Sequence, residues 1–297
     1  MHTGFESPLV LQAPAKLNLF LKILGKRSDG FHEIETLMQT LDLHDTLRFL
    51  PSSSGKISLE IEHVSPHQAA REVLPTDHRN LIVRAALLLK ERTNCLEGVD
   101  ILLRKRIPSQ AGLGGGSSDA ATTLLALNQL WKLQLSPQEL IQMAAELGSD
   151  IPFFVSRQSL AVGYGRGEQL HTVPGKPISY VLVKPDSGLS TAEVYANCKV
   201  SPFPHSSKEL LNALHGSDLS RVKYHLHNSL QEPAEQLNED VQTVLSAMQQ
   251  QNFLATMMSG SGTACFGICR NRREANFAAA KLQGLSVGTV IVAHSRV

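Results

Sequence analysis

Residues 108–121 read Pro-Ser-Gln-Ala-Gly-Leu-Gly-Gly-Gly-Ser-Ser-Asp-Ala-Ala, with four glycines (Gly112, Gly114, Gly115, Gly116) ahead of an apolar helical repeat. Glycine lets a backbone take positive φ and approach a ligand closely. A strand-like run at 99–103 precedes the loop, and Ala120, Ala121, Leu124, Leu127 and Leu130 follow at helical spacing as far as Trp131. Strand, glycine loop and helix in that order aim free N–H groups and the positive end of a helix dipole at one point, which suits a phosphate. Ser117 and Ser118 can cap the helix, or hydrogen-bond to phosphate oxygens or to a metal's water. The loop is neither of two common phosphate fingerprints. No lysine follows the glycines, and Ser117 stands where Gly-x-Gly-x-x-Gly has its third glycine. The alternative is a plain glycine-rich turn ending in a capped helix. Three consecutive glycines cost more stability than turn chemistry requires, so the run reads as a nucleotide phosphate site.

The elements that must position this loop follow from periodicity. Residues 9–23 alternate, with Leu17, Leu19, Leu21 and Ile23 on one face and Lys16, Asn18, Phe20 and Lys22 on the other. That pattern predicts a half-buried strand with Lys16 beside Asn18. Residues 26–30 form a turn by composition, and strands follow at 31–41, 45–50 and 56–61. A loop over 62–79 leads into a helix at 81–91. Beyond the glycine loop and its helix, Ser136-Pro137-Gln138-Glu139 opens another helix that stops at Gly148. Residues 149–152 read as a loop, 153–155 as apolar chain, and 160–185 as short strands. Helices at 206–216 and 238–251 come next, then strands at 253–258 and 263–268 flanking Ser259-Gly260-Ser261-Gly262. A helix at 272–282 and a strand at 287–293 close a ferredoxin-like order. The boundary between two domains is placed at residue 172.

Composition narrows the partners. The chain has 297 residues, 42% of them apolar and 19% charged, and a formal net charge of +1. It can build proper cores and has no global attraction for nucleic acid or an anionic membrane. An anionic ligand must therefore be held locally. No apolar run approaches the ~20 residues of a membrane span. The cysteines Cys95, Cys198, Cys265 and Cys269 show no Cys-x-x-Cys spacing, and Cys265 and Cys269 read as reduced core residues. No His-Glu-x-x-His occurs, and His225-x-His227 reads as a solvated face. The opening residues 1–7 carry an acid and no apolar core, so a cytoplasmic protein without a leader is expected.

Three segments carry a family resemblance. The run at 108–121 resembles the second motif of the GHMP kinases, the galactose, homoserine and mevalonate kinase superfamily. Pro14-Ala15-Lys16-Leu17-Asn18-Leu19-Phe20-Leu21, with Arg27-Ser28-Asp29-Gly30-Phe31-His32-Glu33, is similar to the N-terminus of one branch. That branch phosphorylates 4-diphosphocytidyl-2-C-methyl-D-erythritol. Ser259-Gly260-Ser261-Gly262-Thr263-Ala264-Cys265 resembles its third glycine-rich motif. The segments fall in order from near residue 10 to near residue 265.

The resemblance implies an α+β fold in two domains. An N-terminal ATP-binding domain (ribosomal protein S5 domain 2-like) would cover 1–172, and a ferredoxin-like GHMP C-terminal domain 173–297. It implies transfer of the γ-phosphoryl group of ATP, with Mg²⁺ bridging the β- and γ-oxygens, to the 2-hydroxyl of the cytidine diphosphate-linked methylerythritol. That is a step of non-mevalonate isoprenoid synthesis. The partner is a small molecule, with no nucleic acid and no membrane, and monomer and homodimer both stay open.

The same resemblance assigns residues. Lys16 and Asp150 match the catalytic lysine and aspartate, Asp150 as acceptor of the hydroxyl proton. By the residues alone, Lys16 reads first as a solvent-facing strand lysine, and Asp150 equally as a loop polar residue after a glycine-terminated helix. Pro108, Ser109, Gln110, Ala111, Gly112, Leu113, Gly114, Gly115, Gly116, Ser117 and Ser118 would cradle the triphosphate. Asn80 and Lys105 match positions near the adenine, against a helix cap and a solvated charge. Phe31 and His32 match residues that hold cytosine by stacking and by hydrogen bonds, and Tyr195 would be the second stacking face. Core packing, a satisfied turn histidine and a packed helix-end aromatic are the alternatives for these three. Asn18 would contact the methylerythritol portion. Gly260, Ser261 and Gly262 would support the glycine loop or the substrate phosphates, or else form a hairpin turn. No protein ligand of the metal is assigned.

Overall fold

The alternation at 9–23 belongs to a longer strand, β1 (Leu9–Lys26), and the runs at 31–41 and 45–50 are one strand, β2 (His32–Ser52). The computed structural model describes residues 7–65, 73–200, 202, 204, 206–216 and 218–297, so residues 66–72 of the loop expected at 62–79 lie outside the described residues. Two compact units emerge, and both β1 and β2 contribute residues to each. The first gathers the described residues of Met1–Ala15, Leu43–Ser109 and Gly114–Arg157; the second gathers those of Lys16–Asp42, Gln110–Leu113 and Gln158–Val297.

In the first unit, β3 (Ile57–His63) runs parallel to β4 (Gly98–Lys105), which pairs antiparallel with the C-terminal half of β2 from Thr46↔Arg104 to Ser52↔Gly98. Helices α1 (Leu81–Thr93), α2 (Gly115–Leu130), α3 (Pro137–Leu147) and α4 (Ile151–Val155) pack on one another. Two of them start as their sequences dictate. Asn80 Oδ1 accepts from Ile82 N at 2.9 Å, and Ser136 with Glu139 forms a capping box ahead of Pro137.

Two starts differ from expectation. The N-cap of α2 is Gly114, with φ of 69°, and no side chain caps the helix. A serine cap must stand outside the first turn in extended backbone. Here Gly115 and Gly116 enter the helix, which leaves Ser117 and Ser118 inside it. The loop expected at 149–152 ends at Asp150, the N-cap residue of α4, and Ile151 and Pro152 are already helical.

In the second unit, the N-terminal half of β2 pairs antiparallel with β5 (Leu160–Tyr164), and β5 with β6 (Gln169–Thr172). β1 runs parallel to the short β8 (His227–Asn228) through Phe20↔His227 and Leu21↔Asn228. A second sheet of four antiparallel strands has the order β11 (Thr289–His294), β7 (Ser179–Lys184), β10 (Cys265–Cys269), β9 (Ala255–Met258). Helices α8 (Glu239–Gln249) and α9 (Arg272–Gln283) bury Val244, Leu245, Met248, Ala275 and Leu282 in one cluster with Val181, Val183, Cys265 and Cys269. This is the α+β order expected. Shorter helices α5 (Thr191–Ala196), α6 (Ser207–His215) and α7 (Gln231–Leu237) complete the unit.

The structure corrects two burial readings. β1 is covered on both faces from Ala15 to Leu21, with Lys16 and Asn18 each only 3% exposed. Leu21 and Ile23 join the apolar cluster on one face, while Thr36 meets Asn18 on the other. His225 and His227 are not a solvated face, since both are partly buried and the His227 ring lies 5.8 Å from that of Phe20. Cys265 and Cys269 are buried free thiols, as expected, and burial pushes both up, Cys269 to about 12.

Candidate active site

Lys16 lies where β1 meets residues of two distant loops. Its backbone N donates to Leu113 O at 2.9 Å, and its ammonium donates to Asn18 Oδ1. Asn18 Nδ2 donates to Thr36 Oγ1 at 2.9 Å, and Asn18 N donates to Ser259 Oγ at 3.2 Å. Ser259 in turn donates its hydroxyl to Gly112 O at 3.0 Å. Thr263 N to Gln110 O (3.2 Å) and Ala264 N to Ala111 O (3.1 Å) complete a clasp around residues 110–113. The clasp explains Gly112: a Cβ there would lie 2.0 Å from Ser259 O, and its φ is +69°. Gly260 closes the other side, since a Cβ on it would sit 2.9 Å from Asn18 Oδ1 and 3.4 Å from Lys16 Nζ. Asn228 Nδ2 fixes this turn by donating to Met258 O and Gly260 O, and Thr191 Oγ1 lies 2.8 Å from Ser261 Oγ.

The aromatic candidates lie in the same unit. Phe31 is 50% exposed, with the Arg166 guanidinium 4.8 Å from its ring centroid. The His32 ring is 5.4 Å from that of Tyr195, tilted by 36°, and its Nε2 is 3.6 Å from Cys198 Sγ. Burial, aided by the charge of Lys26, lowers the His32 pKa. A neutral imidazole has one donor and one acceptor nitrogen, which suits the edge of a base.

The first unit holds the rest. Pro108 and Ser109 lead out of β4, and Gly114–Ser118 form the N-cap and first turn of α2. Ser118 Oγ is buried without a hydrogen-bond partner among the described residues. Lys105 is 3% exposed, so it is not a solvated charge; its ammonium bridges the buried carboxylates of Asp45 and Asp119, the latter at 3.0 Å. Burial alone would lower the Lys105 pKa, and Asp119 and Asp45 more than offset that and raise it. Asp119 is pushed up by burial, with Lys105 opposing. A Cβ on Gly115 would come within 2.9 Å of Lys105 Nζ, so the ammonium lies under the first turn of α2. Asn80 is engaged as a cap, with Nδ2 donating to Pro75 O at 2.7 Å. Asp150, half-buried, precedes α4, which packs on α2 and α3.

Sequence reasoning missed Thr36, Ser259, Asn228, Asp45 and Asp119. One signal was available. Lys105 falls in phase with Val99, Ile101 and Leu103 on the buried face of β4, and a lysine in an apolar register calls for carboxylates.

Two family models match the chain: GHMP kinases N terminal domain over residues 80–158 and GHMP kinases C terminal over 206–285. A protein of Pelotomaculum thermopropionicum named 4-diphosphocytidyl-2-C-methyl-D-erythritol kinase is 39% identical over 91% of this chain and 92% of its own length. A protein of the same name from Shouchella clausii is 40% identical over 90% and 87%. A crystal structure of 4-(cytidine 5'-diphospho)-2C-methyl-D-erythritol kinase superposes with a TM-score of 0.79 at 33% identity, over 97% of this chain and all of the other. Homoserine kinase of Cytophaga hutchinsonii, at 16% identity and a TM-score of 0.70 over 100% of this chain and 97% of its own, shares the fold. The fold and the two models define a GHMP kinase. Within that class, the chain belongs to the 4-diphosphocytidyl-2-C-methyl-D-erythritol kinase family.

Proposed function

We propose that this chain transfers the γ-phosphoryl group of ATP to the 2-hydroxyl of 4-diphosphocytidyl-2-C-methyl-D-erythritol, giving the 2-phosphate and ADP in non-mevalonate isoprenoid synthesis. The relatives' shared name supports the substrate. The observation that carries the chemistry is the clasp: one hydrogen-bonded assembly holds a buried ammonium, Lys16, and the Gln110–Leu113 half of the glycine loop. Phosphoryl transfer is catalysed by alignment and charge neutralisation more than by covalent help. Lys16 supplies a fixed cation, and Asp150 takes the proton of the attacking hydroxyl. The loop from Pro108 through Ser118 binds the triphosphate through its N–H groups. Asn80 and Lys105 stand near the adenine. Lys105 acts there by holding α2 from beneath, since its ammonium is committed to Asp45 and Asp119.

Phe31, His32 and Tyr195 hold the cytosine, and Asn18 and the turn Gly260-Ser261-Gly262 lie toward the alcohol and its phosphates. Residues 1–172 form the ATP-binding domain and also bring Asn18, Phe31 and His32 to the alcohol, while 173–297 form the GHMP C-terminal domain and bring Tyr195 and Gly260-Ser261-Gly262. Mg²⁺, when bound, neutralises charge on the β- and γ-oxygens. Among the described residues no three His, Cys, Asp or Glu side chains converge as a metal cluster. The buried hydroxyl of Ser118, without a hydrogen-bond partner among the described residues, is a hard oxygen that fits such an ion. No described helix is long and apolar enough to cross a membrane, and a cytoplasmic location suits a kinase drawing on ATP.

The test is ADP release by purified protein with Mg-ATP and a panel of alcohols. Turnover confined to the cytidine-linked alcohol supports the proposal. Turnover with mevalonate, homoserine or galactose instead would reassign the substrate, and turnover with none would point to a ligand sensor.

A further inference from the structure

We infer that Thr36 is a positioning residue for the Lys16 ammonium and acts through the amide of Asn18. The argument starts from hydrogen-bond polarity. A hydroxyl has one proton, and a backbone carbonyl can only accept. Thr36 Oγ1 lies 2.8 Å from Phe20 O, so its proton is spent on that carbonyl. Toward Asn18, at 2.9 Å, the hydroxyl can therefore only accept. This obliges Asn18 to present its NH₂ to Thr36 and its carbonyl oxygen to Lys16. The ammonium, which has donors only, requires the same orientation from the other end. Both neighbours fix one amide orientation, and reversing it would set NH₂ against an ammonium.

Burial makes this orientation costly to lose. Lys16 and Asn18 are each 3% exposed, Thr36 is 1% and Phe20 is fully buried, so water is a poor substitute for a missing partner. The amide has little room to swing, because a Cβ on Gly260 would already lie 2.9 Å from Asn18 Oδ1. All four residues belong to β1 and β2 in one compact unit. The relay runs from a carbonyl of β1, through a hydroxyl of β2, back to an amide of β1 and then to the ammonium. Its consequence is directional: Thr36, only 1% exposed, acts on the position of the cation through the Asn18 amide. The inference rests on the reading of Lys16 as the cation that serves the transferring group.

The experiment separates the hydroxyl from the shape of the side chain. Thr36→Val keeps the shape and removes the hydroxyl, while Thr36→Ser keeps the hydroxyl and removes a methyl. A misplaced charge costs roughly tenfold to a hundredfold in rate. We expect Thr36→Val to lower kcat at least about tenfold with KM for ATP within about twofold, and Thr36→Ser to stay within about threefold of the parent. A packing role predicts the reverse, with valine harmless and serine impaired, and that result would overturn the inference. Equal loss in both variants would overturn it too. Should Thr36→Val fail to fold, Thr36→Ala read against Thr36→Ser carries the same comparison, because these two differ only in the hydroxyl. Lys16→Met separates the layers. If it retains full turnover, the role given to Lys16 fails. If it is inactive while Thr36→Val matches the parent, only the relay fails.

Discussion

Two glycines four residues apart in one loop should respond to alanine with opposite signs. At Gly112 the backbone has φ of +69°, and an added Cβ would stand 2.0 Å from Ser259 O and 3.1 Å from Gly262 N. Left-handed backbone costs an L-residue roughly 1–2 kcal/mol. Relieving the overlap moves the Ser259 backbone by about 1 Å, which strains the bonds Ser259 N to Ala264 O (2.9 Å) and Gly262 N to Ser259 O (3.0 Å). Losing one or two of these adds about 1 kcal/mol each. The sum is roughly 2–4 kcal/mol, or a fall in unfolding midpoint of about 3–6 °C for a chain of this size. At Gly116 an added Cβ would meet only Leu81 Cδ1 at 3.8 Å, and the residue is already helical. Alanine there gains about 0.5–1 kcal/mol. Thermal unfolding followed by circular dichroism reads both. A Gly112→Ala midpoint within about 1 °C of the parent would refute the clasp as the feature that holds residues 110–113.

Asp150→Asn should cut kcat by about 10² or more while KM for ATP stays near the parent value, and steady-state kinetics with both substrates varied checks this. Lys105→Met should cost about 3–5 kcal/mol in chemical denaturation, because it strands the buried carboxylates of Asp45 and Asp119; adding Asp119→Asn to it should recover part of that loss. Burial, with a smaller effect of Lys22, holds the His227 pKa at about 4, below the ordinary 6.5. The unfolded chain therefore binds a proton that the folded chain refuses between those values. The His227 contribution to stability is fully present above about pH 6.5 and is lost as pH falls toward 4, and His227→Gln should flatten that part of the acid limb in a series of melting curves.

Much of the fold was legible because its signals are local. The capping box at Ser136 and Glu139, the alternation in β1 and the glycine run at 112–116 each declare themselves within a few residues. Burial on the second face of β1 was not legible, since the partners of Asn18 lie 18 and 241 residues away, at Thr36 and Ser259. Asp45 is similarly 60 residues from Lys105. The serine cap was misjudged for a different reason: glycine at Gly114 can take the left-handed N-cap conformation itself, so the helix starts earlier than a serine cap would place it. Local chemistry named the candidate residues. The contacts that commit their side chains come from chain topology.

Phosphorus NMR of the reaction with the cytidine-linked alcohol tests the central assignment most directly. Transfer to the 2-hydroxyl predicts one new phosphomonoester resonance beside an intact diphosphate pair, in step with ADP. Orthophosphate in place of the monoester, or loss of the diphosphate pair, would contradict it.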